Sequence, residues 1–328
     1  MSVSFFGGDE PPFWVTVIGV GGCGTQLVVS LQQTYGRNFY GLEIWYKAAD
    51  CDAMPRQLAI GERTPSWVHW EWCNEVGQLP YQSCNGNPAL ARTADWRAPQ
   101  PEIAEVFHFR KSDALIILAG FGKGAGTGIS QVLAAQAAHA KIPLFVLVTL
   151  PFQNEKLSID LAAEMSLLES VADAVFYFDQ DCPRGGLDFP PDSSISELMS
   201  MTDARIDRCF NELLKGMLSI CFRGEGRCGH GIREANGVGE FRDALFSAIL
   251  DAQQMAGIKT PRHGFIRVSH PPGVQSSTVW DELKSGLIAI PNSRSMAFEK
   301  SIETDDSLVD KIVISVFMAW GASLPSDF

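Results

Sequence analysis

Short apolar runs recur along the chain, each followed by a stretch whose apolar residues return at helical spacing. The strand-like runs are Val15–Ile18, Gly41–Ala48, Ala114–Leu118, Pro143–Thr149 and Ala174–Phe178. Helical patterns run from Thr25 to Leu31, from Ile129 to Ala140 and from Leu157 to Val171. Nearly continuous apolar runs rich in β-branched residues suit strands buried on both faces. Their alternation with helices predicts an α/β fold, a doubly wound and mostly parallel sheet of Rossmann-like type.

A longer helical pattern spans Asp203 to Phe222 and is apolar around much of its circumference, which predicts a buried helix. Beyond Gly224 the chain reads as a glycine-rich loop, then a helix from Phe241 to Met255. Strands are predicted near Gly264–Val268, Ser295–Ile302 and Lys311–Trp320. The expected organisation is a first domain over 1–202, a connecting helix over 203–223 and a smaller α+β domain over 224–328. The segment from Pro55 to Pro101, with Trp67, Trp70 and Trp72 close together, breaks the rhythm and receives no element. Tryptophans under a long loop are more often packing residues than a contact surface.

At 328 residues the chain can bury a sizeable core and form two domains. A net charge of −12 excludes nucleic acid as a bulk electrostatic partner, although a nucleotide needs only a local cradle. The eight cysteines form no C-x-x-C pair, and the N-terminus shows no signal-peptide pattern, so reduced thiols in a cytoplasmic setting are expected. Cys221, Cys228 and His230 lack the four-ligand spacing of a zinc site. No apolar run is long enough to span a bilayer.

Two glycine loops carry the chemistry. Ala119-Gly120-Phe121-Gly122-Lys123-Gly124-Ala125-Gly126-Thr127-Gly128 lies between a strand and a helix, and so does Gly19-Val20-Gly21-Gly22-Cys23-Gly24-Thr25-Gln26. A backbone that turns its N–H groups toward an anion needs close approach and positive φ, and the following helix adds its positive end. Alone, Gly19, Gly21 and Gly24 match the G-x-G-x-x-G of a dinucleotide site, with Asp50 or Asp52 as the acidic partner. One pyrophosphate needs one such loop, and this chain has two.

Further matches give the pair a context. Gly122 to Gly128 is similar to the signature G-G-G-T-G-T/S-G of the tubulin/FtsZ superfamily of polymerising GTPases, and Gly21 to Gln26 resembles tubulin's G-Q-C-G-N-Q. Val148-Thr149-Leu150-Pro151-Phe152-Gln153-Asn154-Glu155 resembles V-T-K-P-F-x-F-E of FtsZ, and Asn211-Glu212-Leu213-Leu214-Lys215-Gly216 resembles N-D-V-L-K-G. Asp50-Cys51-Asp52 stands where FtsZ has N-T-D, and Gly86-Asn87-Pro88 resembles its third phosphate loop. The matches follow the family's order along most of the chain.

The resemblance implies GTP or GDP with Mg²⁺. It places phosphates on Gly21, Gly22, Cys23 and Gln26, on Gly122, Lys123, Gly124, Ala125, Gly126, Thr127 and Gly128, and on Gly86 and Asn87, with Asp50 and Asp52 nearby. Thr127 would add a hydroxyl, Asn211 and Gln180 would contact the base, and Glu155 would accept from ribose hydroxyls. Head-to-tail self-assembly is implied, each cleft being completed by an acidic loop of the next subunit. Glu240 and Asp243, in Val238-Gly239-Glu240-Phe241-Arg242-Asp243, are its counterpart here, with carboxylates at i and i+3 for orienting water. An adaptor is a further implied partner; direct nucleic-acid binding and a transmembrane segment are not expected. Lys123 and Ala125 depart from the signature, Val238 replaces an asparagine, and Ile159 falls where FtsZ has an arginine. A scaffold that binds GTP or polymerises with little hydrolysis is therefore one alternative, and a Rossmann-type dinucleotide-binding enzyme is the other.

Overall fold

The structure is a computed structural model that describes residues 13–50, 66–69, 86–93, 111–157, 159–181, 193–216, 227–256, 263–290 and 297–319. β1 (Phe13–Val20) leads straight into α1 (Gly21–Tyr35), followed by β2 (Asn38–Phe39), β3 (Leu42–Asp50), β4 (Ser66–His69) and α2 (Pro88–Thr93). β5 (Ala114–Gly120) and α3 (Gly124–Ala140) come next, then β6 (Leu144–Thr149), α4 (Leu161–Glu169), β7 (Ala174–Phe178) and α5 (Ile195–Gly216). The second half holds β8 (Arg227–Ala235), a 3-10 turn at Val238–Glu240, α6 (Phe241–Ala256), β9 (His263–His270), α7 (Ser276–Ala289), β10 (Ala297–Thr304) and β11 (Ile312–Ala319).

All these strands join one sheet in the order β10-β9-β11-β8-β7-β6-β5-β1-β3-β2, with β4 on the far side of β3. From β4 through β8 the neighbours run parallel, so their C-terminal ends share one edge. β1 lies between β3 and β5, pairing Val17 with Tyr46 on one side and with Ile116 on the other. The chain therefore changes direction at β1 and β5, and the crevice over that switch point is where an open α/β sheet binds ligands. The α/β expectation holds, with one sharpening: the second half extends the same sheet rather than forming a separate layer.

Alternation along the strands builds two cores. Val15, Val17, Ile116, Leu118, Leu147 and Phe176 face α1 and α5, while Ile18, Leu115, Ile117, Val146 and Val148 face α3 and α4. Phe176 and Phe210 are fully buried, each a contribution of ~1.5–3 kcal/mol relative to exposure. A third cluster, including Phe241, Leu245, Ile249, Val268 and Val316, packs α6 and α7 onto the second half of the sheet.

Two predicted elements differ. α5 begins at Ile195 rather than near Asp203, because Ser194 and Glu197 form a capping box. Ser194 Oγ accepts the Glu197 N–H at 3.3 Å, and Glu197 Oε2 accepts the Ser194 N–H at 2.7 Å. Its first turns are mostly exposed, so they carry no apolar period. The glycine-rich stretch after Gly224 contains strand β8 rather than only a loop. Gly229 and Gly231 are there because a Cβ would fall 1.8 Å from the Ala252 carbonyl oxygen and 1.9 Å from that of Ala248, so α6 lies directly on the strand.

Buried charge ties α5 to the second half. Arg267 on β9, 2 % exposed, donates to Glu212 of α5 at 2.9 Å and to Glu303 of β10. Lys215 lies between Glu212 and Asp305. Removing one member of such a set leaves an uncompensated buried charge, a loss of ~3–5 kcal/mol.

Candidate functional site

The cleft is built from two helix starts that touch. β1 passes into α1 with no intervening loop, made possible by Gly21 at φ +68°, and a Cβ on Gly21 would lie 2.8 Å from the Gly126 nitrogen. Gly126 in turn sits where a Cβ would be 2.1 Å from the Gly120 carbonyl oxygen. Gly24 is held equally close to Leu118. Above Gly22 the space is open. Neither Val20 nor Lys123, the residues before α1 and α3, caps its helix with a side chain, and neither first turn carries an acid. The N-terminal N–H groups and positive dipole ends of both helices are thus offered to one place.

That place is a cleft of ≈ 520 Å³, within the size range of small-molecule sites. Its phosphate-like end is walled by Gly21, Gly22, Asp50, Gly86 and the run Lys123 to Gly126. The loop after β6 contributes Pro151, Phe152 and Glu155, and the far end is formed by Gln180 after β7 and Met199 on α5. Cys23 lies on the floor with Sγ 3.2 Å from Thr149 Oγ1. Burial pushes its thiol up, the contact with Thr149 opposes this, and the charge of Asp203 adds to the rise. Asp203 is one turn beyond Met199 on the same side of α5. Lys123 Nζ reaches across the cleft to Glu155 Oε2 at 3.4 Å.

Eleven residues assigned from the sequence therefore line one cavity: Gly21, Gly22, Cys23, Asp50, Gly86, Lys123, Gly124, Ala125, Gly126, Glu155 and Gln180. Others do not. Gln26 is an exposed residue of α1 away from the lining. Thr127 is fully buried, and its Oγ1 accepts the Gly122 N–H at 3.1 Å, so the hydroxyl shapes the loop instead of facing a ligand. Gly122, at φ +100°, makes the turn beside Pro151. Gly128 brings α3 against Ala91 of α2, and Asn87 uses Oδ1 to accept the Ala89 N–H at the start of α2. Asp52, Cys51, Trp70 and Trp72 lie outside the described residues.

Asn211 is not among the residues that line the cleft. It stands twelve positions after Met199 on α5, about 18 Å along the axis at the usual helix rise. Its Oδ1 is buried with no hydrogen-bond partner, inside the protein instead of at the cleft. The motif match fixed its sequence context but not which turn of the helix overlies the cavity.

Glu240 and Asp243 require the larger correction. They do not follow α5: the whole of β8 intervenes, and they form the turn into α6. Because β8 runs parallel to β7 and extends past it, their turn points toward the same sheet edge as the cleft. Glu240 Oε2 accepts from the Asn236 backbone N–H and from Asn236 Nδ2, at 3.0 and 3.1 Å. The pair neither lines the cleft nor occupies the opposite pole.

Phe121, Thr149, Pro151 and Phe152 also line the cleft; they stand in the glycine loop and the Val148–Glu155 motif, where the sequence reading gives them no role. Met199 has no sequence signal beyond the capping box at Ser194 that starts its helix. Among the described residues no group of three or more His, Cys, Asp or Glu could hold a metal alone. A Mg²⁺ would fit here only with phosphate oxygens and water as its main ligands, near Asp50. No helix among the described residues is long and apolar enough to cross a membrane.

A parallel sheet with two touching glycine helix starts at its switch point, followed by a long helix and a mixed second half, is the fold that solved FtsZ and CetZ structures share with this chain. Among solved structures, the chain is similar to a tryptophan-to-tyrosine mutant of FtsZ from M. jannaschii, with TM-score 0.73 and 16% identity over 94% of this chain and 91% of that one. It is similar to CetZ2 from Haloferax volcanii, solved as a GTPγS-bound protofilament, with TM-score 0.70 and 17% identity over 93% and 92%. CetZ1 from the same organism, a GDP-bound monomer, gives TM-score 0.69 and 16% identity over 95% and 96%. No protein-family model matches the sequence, and no curated protein does.

Proposed function

We propose that this chain binds guanine nucleotides in the cleft and self-associates head to tail, with little intrinsic GTP hydrolysis. The observation that carries the reading is the contact between Gly21 and Gly126, which turns two uncapped helix starts onto one anion site. A single dinucleotide pyrophosphate would need only one of them. The other end of the cleft suits a purine: Met199 offers an apolar platform and Gln180 an amide, and Asp203, one turn beyond Met199 and near enough for its charge to act on Cys23, is the carboxylate we assign to accept from guanine N1–H and N2–H. Asp203 thereby takes the role expected of Asn211.

Self-association is supported by the rim, where Ile195 and Met199 are 60% and 46% exposed one turn apart beside the cleft. A heterologous contact there that does not close gives an open polymer. In such a stack, a group acting on the neighbour's nucleotide must sit at the pole away from its own cleft. Glu240 and Asp243 do not supply that group, and the slow-turnover reading rests on the departures at Lys123 and Ala125 from the glycine signature.

Pelleting and electron microscopy with GTP, GDP or no nucleotide tests the proposal, alongside thermal shift with GTP and NAD. Polymers that need guanine nucleotide, with GTP but not NAD raising the melting temperature, are expected. Absence of both effects would sink the reading. Phosphate release that climbs per subunit with assembly would overturn the slow-turnover part.

A further inference from the structure

We infer that Lys123 and Glu155 form an exchangeable strap across the cleft, which nucleotide opens by giving Lys123 a phosphate and Glu155 a ribose hydroxyl. This rests on the nucleotide reading above and goes beyond it, by coupling recognition of the two halves of the ligand. Lys123 is the residue immediately before α3, next to the free N–H groups of the phosphate-like end. Glu155 lies on the adjoining loop after β6, between that end and the Gln180–Met199 end. Their ion pair, at 3.4 Å, therefore spans the boundary between the two.

The charges make the resting pair easy to replace. Lys123 is 78% exposed and Glu155 31%, so in water the pair is worth little. Among the described residues that line the cleft, Lys123 is the one cation, against the carboxylates of Asp50 and Glu155. A polyphosphate entering this lining meets two carboxylates and one ammonium, and turning Lys123 toward it brings this one side-chain cation of the lining onto the phosphates. When the ammonium leaves, Glu155 keeps one anchor, because its Oε1 accepts the Phe152 N–H at 3.4 Å. Its Oε2 is then free to accept from a sugar hydroxyl. Phosphate binding thus uncovers the ribose acceptor, and the departure of Glu155 from Lys123 uncovers the phosphate cation.

Calorimetric titration of the full chain with GDP and with guanosine, at one fixed Mg²⁺ concentration, tests the exchange. Lys123→Ala is expected to weaken GDP binding about 10-fold or more, the loss of a charge-assisted contact. Guanosine binding should not weaken and should tighten modestly, by less than about 2-fold, since no phosphate is there to recruit the ammonium and its removal uncovers Glu155, whose exposed pair with Lys123 is worth little. Lys123→Arg should restore most of the GDP affinity. Glu155→Gln should weaken both ligands, and the double variant should lose less for GDP than the product of the single losses, as coupled sites do. Equal weakening of GDP and guanosine by Lys123→Ala, or no weakening of GDP, would overturn the strap while leaving the nucleotide site intact. A wild-type chain that binds neither ligand would overturn the nucleotide reading itself, and the strap with it.

Discussion

Thr127 accepts the backbone N–H of Gly122 through Oγ1 at 3.1 Å, wholly shielded from solvent. The hydroxyl closes the turn that sends Gly124, Ala125 and Gly126 toward the cleft. Thr127→Val keeps the shape but strands a buried donor, at a cost of ~1–3 kcal/mol. Thr127→Ser should recover most of it. Urea unfolding of the three proteins checks this, and a valine variant as stable as wild type would remove Thr127 from the loop's support.

Base recognition divides Asp203 from Asn211. A carboxylate accepts from guanine N1–H and N2–H, whereas an amide can donate to the carbonyl that xanthine carries at that position. Asp203→Asn is expected to weaken GDP about 10-fold or more and to improve xanthosine diphosphate binding. Asn211→Ala should leave nucleotide affinity nearly unchanged, with any effect of its burial on stability read separately by urea unfolding. Competition binding decides the matter: a GDP defect in the Asn211 variant alone would return the role to Asn211.

For Glu240 and Asp243, the geometry forecasts small effects on chemistry. Glu240→Ala with Asp243→Ala should change GTP turnover per subunit less than about 2-fold and cost ~0.5–1.5 kcal/mol, mainly from the lost Asn236 bonds. A phosphate-release assay at matched polymer mass measures this. A fall of about a hundredfold, some 2.7 kcal/mol in the barrier, would restore the pair to catalysis.

His230 sets an acid limit on stability. It is buried on β8, stacked on Phe317 at 4.5 Å with Nε2 2.9 Å from Ser315 Oγ. Burial, then the charge of Arg205, lower its pKa to about 3. Unfolded chains take up this proton near pH 6.5, and the native state refuses it until about pH 3. The contribution is therefore fully present above pH 6.5 and lost as pH falls toward 3, at up to ~1.4 kcal/mol per pH unit. Replacing His230 by Gln should flatten that slope in urea titrations across this range; an unchanged slope would place the acid sensitivity elsewhere.

Much of the first half could be read in the chain because its strands are buried on both faces. Ala174–Phe178 has the predicted bounds, and β5 and β6 lie within two residues of theirs. Both glycine loops were found because close backbone approach tolerates few alternatives. β8 was missed for the same physical reason: Gly229 and Gly231 accommodate a helix instead of a turn, and composition cannot tell these apart. The start of α5 was hidden by exposure of its first turns, so the turn that lines the cleft, at Met199, lies about three turns before Asn211. A motif gives order along the chain, whereas the pole at which a side chain emerges depends on strand direction, as Glu240 and Asp243 show.

Among the described residues β7 and β8 pair at two positions, Val175 with Arg227 and Phe176 with Cys228, where β6 and β7 pair at five and β8 and β11 at eight. The proposed head-to-tail assembly would load this junction, which the shared core of Phe176, Phe210, Phe265 and Phe317 and the buried Arg267 cluster brace from one half to the other.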